Sequence, residues 1–207
     1  MDVVSLYKRA WAEVSDDLAS WVVIYLVFMM VSVFTGGLGV VLMPNLHREL
    51  RDARAESRGP EVSRLFQFDQ IGDDAVAGVV YLVALSLGSL AAGIGTSIAA
   101  LALAFLMPLA ADNRYEPIDN AKLSAQHVLG HLVPHAMLLS ASVVLALVGV
   151  FTCGLGFLIA GPLMGMAVQL YYEDSRQEID DLAASMGLRA RIAGPTAPPS
   201  DPDGTQP

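Results

Sequence analysis

What most constrains this chain is where its charges are missing. No Asp, Glu, Lys or Arg lies between Asp17 and Arg48, between Asp74 and Asp112, or between Lys122 and Glu173. Those gaps hold most of the apolar residues. Hydrocarbon imposes such gaps, because an ionised side chain at the centre of a bilayer costs about 3 kcal/mol or more. With 54% hydrophobic residues and a mean hydropathy of +0.52, the chain is too apolar for an ordinary soluble domain of its length. The expected fold class is all-α, a polytopic helical membrane protein whose solvent is lipid.

Glycine organises those gaps. The tripeptide Gly-Leu/Ile-Gly closes an apolar arm three times, at Gly37 to Gly39, Gly93 to Gly95 and Gly154 to Gly156, with spacings of 56 and 61 residues. The first and third copies match more widely, FTGGLG from Phe34 against FTCGLG from Phe151, five of six positions identical. Each copy follows a polar segment with helical spacing of apolar residues, LYKRAWAEVSDDL, RLFQFDQIGDDAV and KLSAQHVLGHLV. Each is followed by a second apolar arm with a proline, Pro44, Pro108 or Pro162. The repeated unit therefore reads as an interfacial helix followed by a transmembrane hairpin. Glycine suits the hairpin turn because it accepts positive φ and puts no side chain between the arms. The units run over about 1–58, 59–114 and 115–176, within one helical membrane domain at 1–192. Glu173 to Ile192 continues as a short amphipathic helix, and the Pro-rich polar tail at 193–207 is expected to be disordered.

A spanning helix needs roughly 20 residues. Ala75 to Ala111 and His135 to Tyr172 each accommodate two short arms. The first unit is less regular, because VVLMPNLHREL meets His47 and Arg48 within about ten residues, too few for a full span. The repeat favours six transmembrane helices with a shortened second one; plain hydropathy favours five, with Trp21 to Met43 as a single span. All twelve Lys and Arg lie in the lead-ins, the connectors and the C-terminal region, and none at a glycine turn. The positive-inside rule then puts both termini in the cytoplasm and the turns on the far side of the plasma membrane, the inner membrane of a bacterium. The first apolar run reads as a retained anchor rather than a cleaved signal peptide, since Lys8, Arg9, Glu13, Asp16 and Asp17 precede it without a good cleavage site. A net charge of -9 excludes nucleic acid as a partner, because neutralising phosphates requires a basic surface. The single Cys153 permits no intramolecular disulfide.

Few side chains suggest chemistry. His127, His131 and His135 are spaced four apart, so a continuous helix would align them for a metal ion, a haem or a proton relay. Three side chains of one helix cannot close a metal site alone, Pro134 interrupts the face, and interfacial histidines on a wet helix face are the simpler reading. Arg48, Arg51, Arg54 and Arg58 also have helical spacing and could hold anionic lipid headgroups. Interleaved Glu49, Asp52 and Glu56 favour instead a solvated helix end that sets topology. The Asp16-Asp17 and Asp73-Asp74 pairs read as caps and surface charges. No phosphate-binding loop, zinc-protease pair or serine elbow is present, and catalytic residues are not expected.

The third unit, a polar lead-in, an apolar arm, CGLG and then FLIAGPLMGMAVQLYYED, resembles the repeated hairpins of uncharacterised bacterial multi-pass membrane families. It is also similar to the membrane region attached to some glycerophosphodiester phosphodiesterases. The resemblance covers about residues 1–175 and implies a helical membrane domain; no part of a phosphodiesterase catalytic domain accompanies it. The first functional expectation is a non-catalytic scaffold or subunit of a membrane complex, partnered by the bilayer and by other membrane subunits or copies of itself. The alternatives are a small transporter or lipid-handling protein, whose proline-bearing helices would line a site, and a haem or metal protein using the histidine ladder.

Overall fold

A computed structural model describes residues 2–90, 94–152 and 156–191. Gly93, Gly154, Cys153 and the tail at 193–207 lie outside the described residues. Among the described residues the chain is helical and contains no strand.

Helix α1 (Val3–Asp16) begins where the Asp2 carboxylate accepts a hydrogen bond from the Val4 amide, and it buries Val3, Leu6, Ala10 and Val14 at the three- and four-residue spacing of one helical face. It stops at Asp17, whose side chain accepts from the Ser20 amide and caps α2 (Leu18–Phe34). The two axes differ by 97°. Helix α1 is thus an amphipathic lead-in, and α2 is apolar all round.

A 3-10 turn (Leu38–Leu42) then passes the chain to α3 (Met43–Ala55), with Pro44 in its first turn, where a missing N–H costs nothing. Helix α4 (Ile71–Ser89), α5 (Ile94–Ala102) and α6 (Leu106–Asp112) make the middle of the chain. The break between α5 and α6 is satisfied from outside: Ser124 accepts from the Phe105 amide at 3.1 Å and donates to the Ala102 carbonyl at 2.8 Å. Helices α7 (Pro117–Gly130), α8 (Leu132–Phe151), α9 (Phe157–Asp174) and α10 (Arg176–Ser185) complete the chain. Helix α4 packs against α5, α8 against α9, and α2 against the 3-10 turn, while α1 and α2 both lean on α9.

Three stretches are long and apolar enough to cross a membrane: Ile71–Ser89, Gly95–Asp112 (α5 and α6 together) and Leu132–Phe151; α1 and α2 pass the same test only when taken together across their 97° bend. The six spans expected from the repeat do not all appear as helices of that kind. Helix α2 alone has 17 residues. Helix α3 carries Arg48, Arg51 and Arg54 with Glu49 and Asp52, and α9 carries Gln169, Glu173 and Asp174 in its second half. The second unit also lacks a separate lead-in helix. Its polar segment forms only a 3-10 turn (Val62–Phe66), and Asp73 and Asp74 fall inside the first turn of α4.

The glycines work partly as expected. Gly37 has φ +97°, the left-handed geometry that ends α2. Gly39, Gly95 and Gly156 do not have positive φ. Close approach is the other reason for glycine here: a Cβ on Gly88 would stand 2.5 Å from the Gly95 carbonyl oxygen, so α4 and α5 meet backbone to backbone.

Burial is uneven. The main core joins Leu6, Leu50, Leu65, Phe105, Leu109, Leu123, Leu170, Tyr172 and Ile179, all within or beside the charge-bearing segments. At the glycine ends, Phe34, Leu90 and Phe151 are 81%, 83% and 84% exposed. Three bare apolar tips are what lipid or a membrane partner would cover, and water would not.

Candidate functional site

The arginines of α3 reach carboxylates on other helices. Arg48 makes a two-armed pair with Asp74 of α4 (2.6 and 2.8 Å) and also contacts Asn45, whose amide holds the Leu65 and Gln67 carbonyls. Arg51 bonds Asp112 at the end of α6 (2.7 Å), a carboxylate that also takes the Tyr172 hydroxyl (2.6 Å) and Arg176 (3.0 Å). Arg54 spans Glu13 of α1 and Glu173 of α9. Arg58 holds Glu49, and both Glu49 and Glu56 keep its guanidinium firmly protonated by accepting its hydrogen bonds.

Asp74, Asp112 and Glu49 are at most 2% exposed. The solvated helix end expected from the sequence is therefore a partly buried ion-pair layer. It ties α1, α4, α6 and α9 to α3, and the four guanidinium groups already have carboxylate partners inside the protein. Asp74 is likewise a buried partner, whereas Asp17 is the cap the sequence suggested.

The histidines do not form a continuous ladder. Helix α7 ends at Gly130 and α8 starts at Leu132, leaving His131 at the break with φ -127° and ψ 45°. Pro134 accounts for this, since a proline ring clashes with the carbonyl four residues earlier, that of Gly130. The rings nevertheless stay together: His127 stacks on His131 at 4.6 Å between centroids, and Phe105 sits 5.3 Å from His127 and 5.0 Å from His135. Burial pushes the His127 imidazole down to about 4, helped by the neighbouring His131 and His135. His135 turns its Nδ1 to the His131 carbonyl (2.9 Å) and to the Tyr171 hydroxyl (3.3 Å). Its Nε2 is buried without a partner. His131 Nε2 faces Glu178 of α10 at 3.4 Å. His127, His131 and Glu178 each offer a ligand atom within 4.8 Å of the others, a grouping that leaves His135 out.

A cavity of about 470 Å³ lies between the arms. Side chains of α2, α3, α4, α5, α6, α8 and α9 line it, among them Phe28, Met29, Met43, Leu101, Met107, Leu139 and Met164. Its few polar positions are Tyr25, Tyr81, Ser142, His47 and His135. His47 donates from Nδ1 to Gln169 Oε1 at 3.0 Å, and the Gln169 amide donates to Glu173 at 3.1 Å, which accepts from Arg54. One relay of side chains thus runs from the ion-pair layer to the cavity wall. The volume falls within the ordinary range of small-molecule sites, and a mostly apolar wall with a few convergent polar groups is their usual chemistry.

Sequence reasoning took His47 only as the end of an apolar arm and missed Gln169, Asp112 and Glu178. The Asp112, Gln169 and Glu178 contacts join residues 61, 122 and 47 positions apart, beyond the reach of any local spacing rule. No protein-family model matches the chain, and no curated protein or solved structure is significantly similar to it.

Proposed function

We propose that this chain is a multi-pass plasma-membrane protein that handles lipid-like molecules, taking the apolar part of such a molecule into the cavity between its arms. Its termini and ion-pair layer would face the cytoplasm and its glycine ends the opposite side, as the distribution of Lys and Arg suggests. The observation that carries this reading is the cavity itself, about 470 Å³ and lined mainly by apolar side chains. His47 and His135 supply isolated polar contacts on that wall, suited to orienting an amphiphile rather than to stabilising an ion. The tandem hairpins would be three versions of one unit arranged around this space, the second arm of the first unit being the shortened one.

The reading is tested by purifying the protein in mild detergent, extracting bound lipid and comparing the wild type with Ala104→Trp, which projects bulk into the cavity. The wild type is expected to retain lipid in fixed proportion to protein, and the variant to lose most of it while eluting at the same position on size exclusion. Equal lipid content in both would overturn the reading.

A second reading, a non-catalytic scaffold or subunit of a membrane complex, is favoured by the apolar tips at Phe34, Leu90 and Phe151. A stable homo-oligomer or partner that dissociates on Phe34→Ser and Phe151→Ser would support it. A strictly monomeric protein with nothing bound at those tips would count against it.

A further inference from the structure

We propose that His127, His131 and Glu178 form a binding site for one divalent transition-metal ion of the Zn²⁺ type, set at the break between α7 and α8. The site is separate from the cavity and does not depend on what the cavity holds.

Hydrogen bonding decides which atoms are available. His131 Nδ1 lies 3.2 Å from the His127 carbonyl oxygen, which can only accept, so the ring proton belongs on Nδ1. In the neutral ring that leaves the lone pair of His131 Nε2 facing the Glu178 carboxylate oxygen at 3.4 Å, acceptor against acceptor. A cation between them resolves the conflict. A doubly protonated His131 paired with Glu178 would resolve it too, but would leave His127 unexplained. His127 is only 3% exposed, its ring is stacked on that of His131, and its Nε2 has no hydrogen-bond partner. Buried polar atoms are nearly always partnered, so an orphaned imidazole nitrogen beside a histidine and a carboxylate points to a missing ligand.

The spacing suits the ion. The three ligand atoms lie within 4.8 Å of one another, whereas nitrogen and oxygen ligands about 2.05 Å from tetrahedral zinc stand about 3.3 Å apart. Closing that gap asks only for side-chain movement from His131 and Glu178, whose side chains are 43% and 61% exposed. Two imidazoles and one carboxylate select a borderline ion over Mg²⁺ or Ca²⁺, which favour oxygen ligands throughout. The break that Pro134 puts into the helix is what makes this possible. It lets the stacked pair present its ring edges to α10, so the third ligand comes from a second helix, and the ion would clamp α10 onto the α7–α8 junction. His135 stands outside this group, since the ligand atoms that lie within 4.8 Å of one another belong to His127, His131 and Glu178, and its own ring borders the cavity.

The test is titration of the untagged, metal-stripped full chain in mild detergent with Co²⁺, read by its visible ligand-field absorption, followed by displacement with Zn²⁺. One ion per chain is expected. Glu178→Gln and His127→Ala are each expected to weaken binding by more than about 100-fold, beyond the roughly 10–100-fold that loss of an outer-shell partner costs. His135→Ala should bind like the wild type. Glu178 is exposed, so its substitution leaves the fold intact and keeps the test informative if His127→Ala misfolds. Absence of the Co²⁺ spectrum, or binding unchanged by Glu178→Gln, would overturn the proposal, as would loss of binding in His135→Ala with Glu178→Gln unaffected.

Discussion

The two ends of the helices are built on different principles. At the charge-bearing end, Asp74, Asp112 and Glu49 are almost fully buried, and each meets an arginine carried by or following α3. At the glycine end the sequence has no Asp, Glu, Lys, Arg or His, and Phe34, Leu90 and Phe151 stand more than four-fifths exposed. One end is closed by protein, through directional charge pairs and a packed core; the other is left for its surroundings to close. In a membrane this division is economical, because apolar packing between helices gains little when lipid is equally apolar, whereas charge pairs at the boundary fix which helices meet. The bodies of α4 and α8 follow the same rule, with only 17% of each candidate span buried inside the protein.

Removing a buried charge should show the contrast most strongly. Asp74→Ala leaves Arg48 without its two-armed partner, and breaking a buried pair in this way costs about 3–5 kcal/mol. Its unfolding midpoint in detergent should fall sharply; a midpoint near that of the wild type would mean that the layer does not hold the arms together. Phe105→Ala is expected to come next. Phe105 is fully buried against His127, His135, Tyr171 and Tyr172, and truncating such a ring typically costs about 3–5 kcal/mol, less where the site can collapse. Arg9→Ala breaks the pair with Asp174, but both side chains are about half exposed, and exposed pairs contribute about 0–1 kcal/mol. Phe151→Ala, at the glycine end, should stay within about 0.5 kcal/mol in detergent, as expected of a residue that packs on nothing. If Phe151→Ala proved as damaging as Phe105→Ala, the glycine end would be a protein interface and the comparison between the ends would fail.

The positions of the arms were legible because lipid leaves a simple mark: charge-free gaps became α2, α4, α5 with α6, α8 and most of α9. The lead-ins α1 and α7 were legible as amphipathic periodicity. The role of α3 was only half legible. Leu46, Leu50 and Ala53 do recur on one helical face, and all three are buried, yet the arginines with interleaved Glu49 and Asp52 read as solvated charge, because a local pattern cannot name a partner in another part of the chain. Arg48 finds Asp74 26 residues away, and Arg54 finds Glu173 119 residues away. The histidine spacing was visible and so was the interruption at Pro134. What could not be read was its consequence, that Glu178 of α10 joins His127 and His131 as a third ligand atom while His135 stays packed against His127 outside that group. The cavity has no local signature, since its lining comes from seven helices.

Single-cysteine labelling in a Cys153→Ser background tests the division between the ends most directly. Leu38→Cys, Leu90→Cys and Thr152→Cys report the three tips, and Ser57→Cys reports the far end of α3. With a membrane-impermeant maleimide applied to intact cells, the three tips are expected to label while Ser57→Cys labels only after the membrane is opened. Labelling of any tip from the same side as Ser57→Cys would contradict the proposed arrangement, in which the glycine tips and the charged layer lie on opposite sides of the membrane.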